Sequence, residues 1–231
     1  MTKVSAEEKV YHYMFGLLID HKLNPGSRLL EKEIVEEMKV SRTPVRNAII
    51  KLVADGLLEK TSKKGVTIPI PIREDVEQIF FVREVLEGET AFLAAMKATD
   101  DDIAFLRLLH KKEKDVYFSN DKKGYTEVNG QLHLSIARIS GNKYLERFIK
   151  QVFWRSQIFI FYFDGFYNYQ NENSQTYFMP YERSSFKDHS DIIEAIASHD
   201  VNSAKERIKE HIRSTYNLLF KPWQNNLQKL T

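Results

Sequence analysis

The chain has 231 residues, 42% hydrophobic and 29% charged, with a net charge of +2 and no cysteine. That length holds one large domain or two ordinary ones, and the apolar content supplies real cores, which excludes disorder as a global description. Without cysteine there is no disulfide framework and no thiolate metal site, a composition that fits a reducing cytoplasm.

The N-terminal stretch from Lys3 to His21 places Val10, Met14, Leu17 and Leu18 at helical spacing. It carries acids early and is amphipathic, so it reads as neither a signal peptide nor a membrane span. The most apolar run, Ile158 to Phe163, is too short to cross a bilayer. Asn24-Pro25-Gly26 ends the first helix. Ile34, Val35 and Met38 give Glu31–Met38 a second apolar stripe, and Lys39-Val40 is a short turn. Ser41 is expected to cap the next helix with its hydroxyl, and Pro44 falls in the first turn, where a missing N–H costs least. Val45, Ala48, Ile49, Leu52 and Val53 form its buried face, and Asp55-Gly56 stops it. Leu57–Thr61, a turn at Ser62–Gly65 and Val66–Ile68 then read as a β-hairpin.

This order, helix-turn-helix followed by a hairpin wing, places a helix N-terminus in the major groove of DNA. Arg42 and Arg46, four residues apart, share one helix face. Arginine can bond bidentately to guanine O6 and N7. Ser41 and Thr43 can bond phosphate oxygens at the positive helix end. Lys63 and Lys64 lie at the wing tip, and Gly65 lets the backbone approach the duplex. Residues 1–72 carry 12 Lys and Arg against 9 Asp and Glu, a small basic head on a nearly neutral remainder.

The segments Pro25–Glu31, Val40–Arg46 and Asp55-Gly56-Leu57 resemble the GntR family of bacterial transcription regulators, over nearly all of residues 9–69. The resemblance implies that Lys32, Arg42, Thr43, Arg46 and the wing residues Lys64 and Gly65 touch DNA. Asn47 stands where the family usually has Glu.

Pro69-Ile70-Pro71-Ile72 forbids a continuous helix and marks a boundary, giving a head of residues 1–72 and a body of 73–231. Helices are expected at 75–97, 100–116 with Asp100 as cap, 125–140, 142–163 with Asn142 as cap, 183–198 and 201–219. Residues 164–180, rich in Asn, Tyr, Phe and Gln, show no helical period. The aromatic tract Phe159–Phe163 reads as core or dimer interface. The expected fold is mostly α: a winged helix-turn-helix head and an all-helical body. Val82–Glu87, Asn129–His133, Gly141-Asn142, Asp188-His189 through Ala195, and Ala204 to His211 resemble the FadR-like FCD subgroup, more loosely than the head resembles its family.

Of seven histidines, three have a shared geometry. His189 and His211 lie about ten and eleven residues either side of the turn at His199–Val201, each roughly 15–17 Å from the bend at ~1.5 Å per residue. Antiparallel helices therefore bring them level. His133 adds a third imidazole, and Asn129, four residues before it, an oxygen. Such a set suits Zn²⁺ or Ni²⁺, then Mn²⁺ or Fe²⁺, and suits Mg²⁺ and Ca²⁺ poorly. The resemblance supports a metal, because many FCD domains use an Asp and three His at these positions; here Asn129 replaces the Asp, which weakens the donor. His12, His21, His110 and His199 read as structural.

Arg83 is four residues before Glu87 and can simply pair with it; the resemblance instead turns it toward an effector carboxylate. Arg155 and Tyr162 are further candidates for that pocket. The expected function is a cytoplasmic homodimeric regulator, a repressor more often than an activator, that binds a palindromic double-stranded operator under control of an organic acid. Two readings stay open beside it: a metal-dependent enzyme domain fused to a DNA-binding head, and a regulator with a purely structural metal.

Overall fold

The computed structural model describes residues 4–20, 22–62, 65–119, 121–163 and 185–227. Helix α1 (Ala6–Ile19) starts three residues later than the apolar period suggests, because Ser5 and Glu8 form a reciprocal capping box. Helices α2 (Glu31–Met38) and α3 (Arg42–Ala54) meet at Lys39, which turns the chain in the left-handed region at φ 53° and ψ 43°. Val10, Met14, Phe15 and Leu18 of α1 are buried with Val45, Ala48, Ile49 and Leu52 of α3. Ser41 holds the cap position of α3, but its side chain makes no capping hydrogen bond, contrary to expectation. The first-turn amides are thereby left without that partner.

Strands β1 (Glu59–Thr61) and β2 (Gly65–Thr67) pair antiparallel, Lys60 opposite Val66. The sequence reading missed a third extended piece. Arg28 bridges Thr67, the Leu29 N–H donates to Val66 O at 2.9 Å, and the Ile68 N–H donates to Ser27 O at 3.1 Å. One bridging residue is too short to carry a period-2 pattern. The hairpin tip at Lys63 and Lys64 lies outside the described residues.

The body is helical throughout the described residues: α4 (Arg73–Lys97), α5 (Asp100–Phe118), α6 (Lys122–Ile139), α7 (Lys143–Phe163), α8 (Ser185–Ala197) and α9 (Val201–Leu227). Thr99, not Asp100, caps α5: its hydroxyl accepts the Asp102 N–H, and Asp102 answers as the partner of the box. Asn142 caps α7 as expected, its Oδ1 accepting the N–H groups of Tyr144 and Leu145. Residues 164–180 lie outside the described residues. Helix α4 is the central post, packed by α6, α7, α8 and α9. Ala91, Ala94 and Ala95 have no exposed surface, and their small side chains let these neighbours approach closely. Phe159 is fully buried in this core, and no described helix is long and apolar enough to cross a membrane.

Helix α7 also carries the head. The Trp154 ring meets Phe15 of α1 edge-on at 4.8 Å between centroids. Lys150 pairs with Asp55 at 2.8 Å, and the same carboxylate accepts the Tyr11 hydroxyl at 2.8 Å. Gly56 sits directly on the α7 backbone with φ +79°, and a Cβ there would lie 2.6 Å from Gln151 O. Gly56→Ala therefore combines left-handed strain with a clash against an atom that cannot rotate away. Denaturant unfolding is expected to show a loss of about 1–3 kcal/mol. Unchanged stability would mean that the head does not rest on α7 in solution.

Candidate functional site

The body's polar centre is built by three helices. His133 projects from α6, His189 from α8 and His211 from α9, with one nitrogen of each lying within 4.8 Å of the others. Ring centroids are 5.3 Å apart for His133 and His189, 5.3 Å for His133 and His211, and 4.6 Å for His189 and His211. The α8–α9 hairpin thus brings its two histidines level. All three are buried.

Each ring is held from behind by a carboxylate. His133 Nδ1 lies 2.5 Å from Glu87 Oε2, His189 Nδ1 2.7 Å from Glu113 Oε1, and His211 Nδ1 3.1 Å from Asp188 Oδ2. An ionised carboxylate only accepts, so each Nδ1 carries the proton, and a neutral ring presents its Nε2 lone pair. The electrostatics favour this state. Burial is the largest influence on Glu87 and pushes it up, but the Arg83 charge, His133 and their hydrogen bonds outweigh it and hold the carboxyl at about 2. Burial raises Glu113 likewise, yet His189 and His110 hold it at about 2. The hydrogen bond from His211 lowers Asp188. Burial pushes His133 down, and drives His211 down to about 4 against the lift of its Asp188 hydrogen bond. Protons therefore compete little for the inward nitrogens of His133 and His211 near neutral pH.

His133 Nε2, His189 Nε2 and Asn129 Oδ1 are buried without a hydrogen-bond partner. A buried polar atom left alone costs about 1–3 kcal/mol. Two such imidazole nitrogens, on rings 5.3 Å apart and backed by carboxylates that orient them, fit a divalent transition metal, and Asn129 lies one helical turn before His133 on α6. The sequence names the imidazoles and Asn129, but nothing in it sets Glu87, Glu113 or Asp188 behind them. Only the short spacings from Arg83 to Glu87 and from His110 to Glu113 hinted at these carboxylates. His110 Nδ1 is 3.4 Å from Glu113 Oε2, so this histidine stands behind the cluster. His199 closes the hairpin at φ 56° with Nδ1 2.7 Å from Ala95 O, and exposed His12 lies on α1; His21 is outside the described residues.

The effector candidates separate. Arg83 is 2% exposed, its Nε donates to Glu87 Oε1 at 2.7 Å and its Nη1 to Ser156 Oγ at 2.9 Å. The plain pairing with Glu87 is thus present, and through Glu87 the guanidinium stands behind His133. Arg155 is engaged elsewhere: its Nη2 donates to Glu59 at 3.2 Å and Asp75 at 3.0 Å, at the junction with the head. The structure does not bring it to the histidines. The Tyr162 side chain lies outside the described residues.

On the head, Lys32, Ser41, Arg42, Thr43 and Arg46 are exposed around the α3 tip. Arg46 Nε donates to Glu31 Oε2 at 2.9 Å, and Lys32 lies 3.6 Å from Glu36. Both are surface pairs, worth about 0–1 kcal/mol. Gly65 takes φ +77° at the turn end of the wing, opposite Thr61.

A winged helix joined to a helical body with a buried three-histidine cluster defines a class, DNA-binding regulators that carry a second, all-helical domain. The comparisons agree. Residues 6–68 match the family described as bacterial regulatory proteins, gntR family, and residues 78–214 match the FCD domain. The chain belongs to the GntR family of transcriptional regulators, in its FCD-containing branch. The structure of E. coli McbR superposes with a TM-score of 0.75 at 23% identity, covering 96% of this chain and 100% of that one, which shows a shared fold. The Uxu operon transcriptional regulator of E. coli is 26% identical over 214 residues, 86% of this chain and 80% of that protein. The Nta operon transcriptional regulator of Aminobacter aminovorans is 28% identical over 138 residues, 59% of this chain; the match spans 64% of that relative's length.

Proposed function

We propose that the protein is a homodimeric repressor of a short palindromic operator, and that an organic acid reaching a metal in the helical body sets its affinity for DNA. In this reading residues 1–72 form the DNA-binding head and residues 73–231 the sensing and dimerising body, joined at Pro69–Ile72, and the protein works in the cytoplasm beside its DNA. The observation that carries the metal is the pair of partnerless buried nitrogens, His133 Nε2 and His189 Nε2, in front of Glu87 and Glu113, with Asn129 Oδ1 likewise buried without a partner one helical turn before His133. His211, oriented by Asp188, completes the imidazole set.

Three imidazoles and an amide oxygen favour Zn²⁺ or Ni²⁺, with Mn²⁺ or Fe²⁺ next. Such an ion supplies a Lewis-acid anchor for a carboxylate. The protein's own contribution is orientation and charge. Glu87, Glu113 and Asp188 fix the rings, while buried Arg83 adds a positive charge behind His133. At the head, the Arg42 and Arg46 side chains approach base edges, and Lys32, Ser41, Thr43, Lys64 and Gly65 hold phosphates. A dimer seated on its operator excludes other proteins from that stretch, so repression is the simpler sign.

A metalloenzyme reading is weaker. An open metal position acidifies a bound water, and a nearby free base speeds the proton transfer that catalysis needs. Glu87, Glu113 and Asp188 are each committed to a histidine Nδ1. Native mass spectrometry of the purified protein tests the metal and the acid together. Operator affinity measured with metal and then dicarboxylates added tests the control. Metal-free protein whose affinity ignores both would end this reading, and turnover of a bound acid would restore the enzyme.

Asn129→Asp is a direct check on the fourth donor. An anionic oxygen should tighten metal binding by roughly the ten- to hundredfold that changes around metal ligands carry. Competition with a coloured chelator reads this. Equal affinity in both proteins would remove position 129 from the metal's surroundings.

A further inference from the structure

Helix α3 has a face that its arginines do not occupy. Val45, Ala48, Ile49 and Leu52 turn one side into the head's core. At ~3.6 residues per turn, the direction opposite is held by Thr43, Asn47 and Ile50. Arg46 lies toward one flank, where it meets Glu31 of α2. Thr43 and Asn47 are exposed, and Ile50 is 67% exposed, more than any other large hydrophobic side chain among the described residues.

A lone surface isoleucine needs no explanation. This one stands three residues after Asn47 and seven after Thr43, on a single stripe of the helix that the winged fold presents to DNA. Facing a phosphate, an isoleucine would strip water from the charge and return no bond. Facing base edges, it meets the one apolar group of the major groove, the C5-methyl of thymine. Asn47 beside it carries a donor and an acceptor on one planar amide, the complement of adenine N6–H and N7. The two residues are ~4.5 Å apart along the helix, little more than the ~3.4 Å between base pairs, so they reach adjoining pairs.

We propose that Asn47 and Ile50 are specificity-determining residues, Asn47 reading an adenine and Ile50 the methyl of a neighbouring thymine. The proposal rests on the reading that the α3 tip enters the major groove. It adds two contacts to those of the arginines and gives them a base identity.

The test is selection of duplexes from a random library by the full-length protein, followed by anisotropy titration of the selected sequence. The wild type should enrich a palindrome with an adenine and an adjoining thymine in each half. Asn47→Glu, whose carboxylate only accepts, should exchange that adenine for cytosine and keep every other position, with about ten- to hundredfold discrimination. Replacing the thymine by deoxyuridine should weaken wild-type binding about fourfold, the worth of one buried methyl, and leave Ile50→Ala unaffected. Both side chains are exposed, so neither variant should disturb the fold. An Asn47→Glu variant that selects the wild-type sequence overturns the adenine contact. Equal sensitivity of wild type and Ile50→Ala to deoxyuridine overturns the methyl contact. A wild type that enriches no sequence overturns the groove reading and this proposal with it, whereas a normal wild-type selection with unaltered variants overturns the proposal alone.

Discussion

His133→Ala should abolish tight metal binding, with affinity falling by more than about a hundredfold, because even changes behind a metal ligand cost about 10–100-fold. The variant loses one of three buried imidazoles and leaves Glu87 paired only with Arg83. That pair survives, so the carboxylate is not stranded. The metal-free variant should still unfold at a lower temperature than the wild type, since the cavity and the Glu87 Oε2 left without its His133 partner outweigh the removal of an orphaned Nε2. The separating measurement is the rise in Tm on adding metal: large for wild type, absent in the variant. His12→Ala, altered at an exposed position of α1, should keep the full rise. A His133→Ala protein with undiminished metal content would take this residue out of the site.

Arg46→Ala should weaken operator binding about 5- to 150-fold and flatten preference at one base pair, the loss of a bidentate guanine contact. The free protein holds Arg46 against Glu31 at 2.9 Å, in a pair exposed enough to break at little cost. Truncation also leaves the Glu31 carboxylate facing the approaching phosphates, which adds to the loss. Lys64→Ala should behave differently, weakening all duplexes alike and lowering the slope of affinity against salt by about one. Anisotropy titrations on operator and random duplex at several salt concentrations compare the two. Equal losses on both duplexes for Arg46→Ala would deny it a base.

Much of this fold was legible in the chain. The head's helices follow apolar periodicity bounded by Pro25-Gly26 and Asp55-Gly56, both local signals. The pairing of His189 with His211 followed from counting residues about a turn, because a helical hairpin has a fixed rise. What the sequence hid was long-range. Nothing local shows that Glu113 of α5 lies behind His189 of α8, or that Glu87 of α4 meets His133 of α6; those distances depend on how five helices pack. Caps were half legible: Asn142 was read correctly, while Thr99 took the place expected for Asp100 because its capping box with Asp102 satisfies two backbone groups at once. Arg155 misled for a similar reason. Its neighbour Ser156 does reach toward the cluster through Arg83, but one residue along a helix turns the side chain by ~100° and sends Arg155 to Glu59 and Asp75 instead.

That rotation has a mechanical consequence for α7. Phe153 and Ser156 look inward, the first with its ring 5.1 Å from His133 and the second bound to Arg83. Lys150, Trp154 and Arg155 look outward to the head. A stiff cylinder cannot turn one side while the other stays still. A twist of ~20° about its axis carries side-chain tips at a radius of ~5–6 Å through roughly 2 Å on both sides together. With the Gly56 backbone seated on Gln151, and Lys150, Trp154 and Arg155 gripping the head, such a twist is carried into the head instead of being lost at a loose seam.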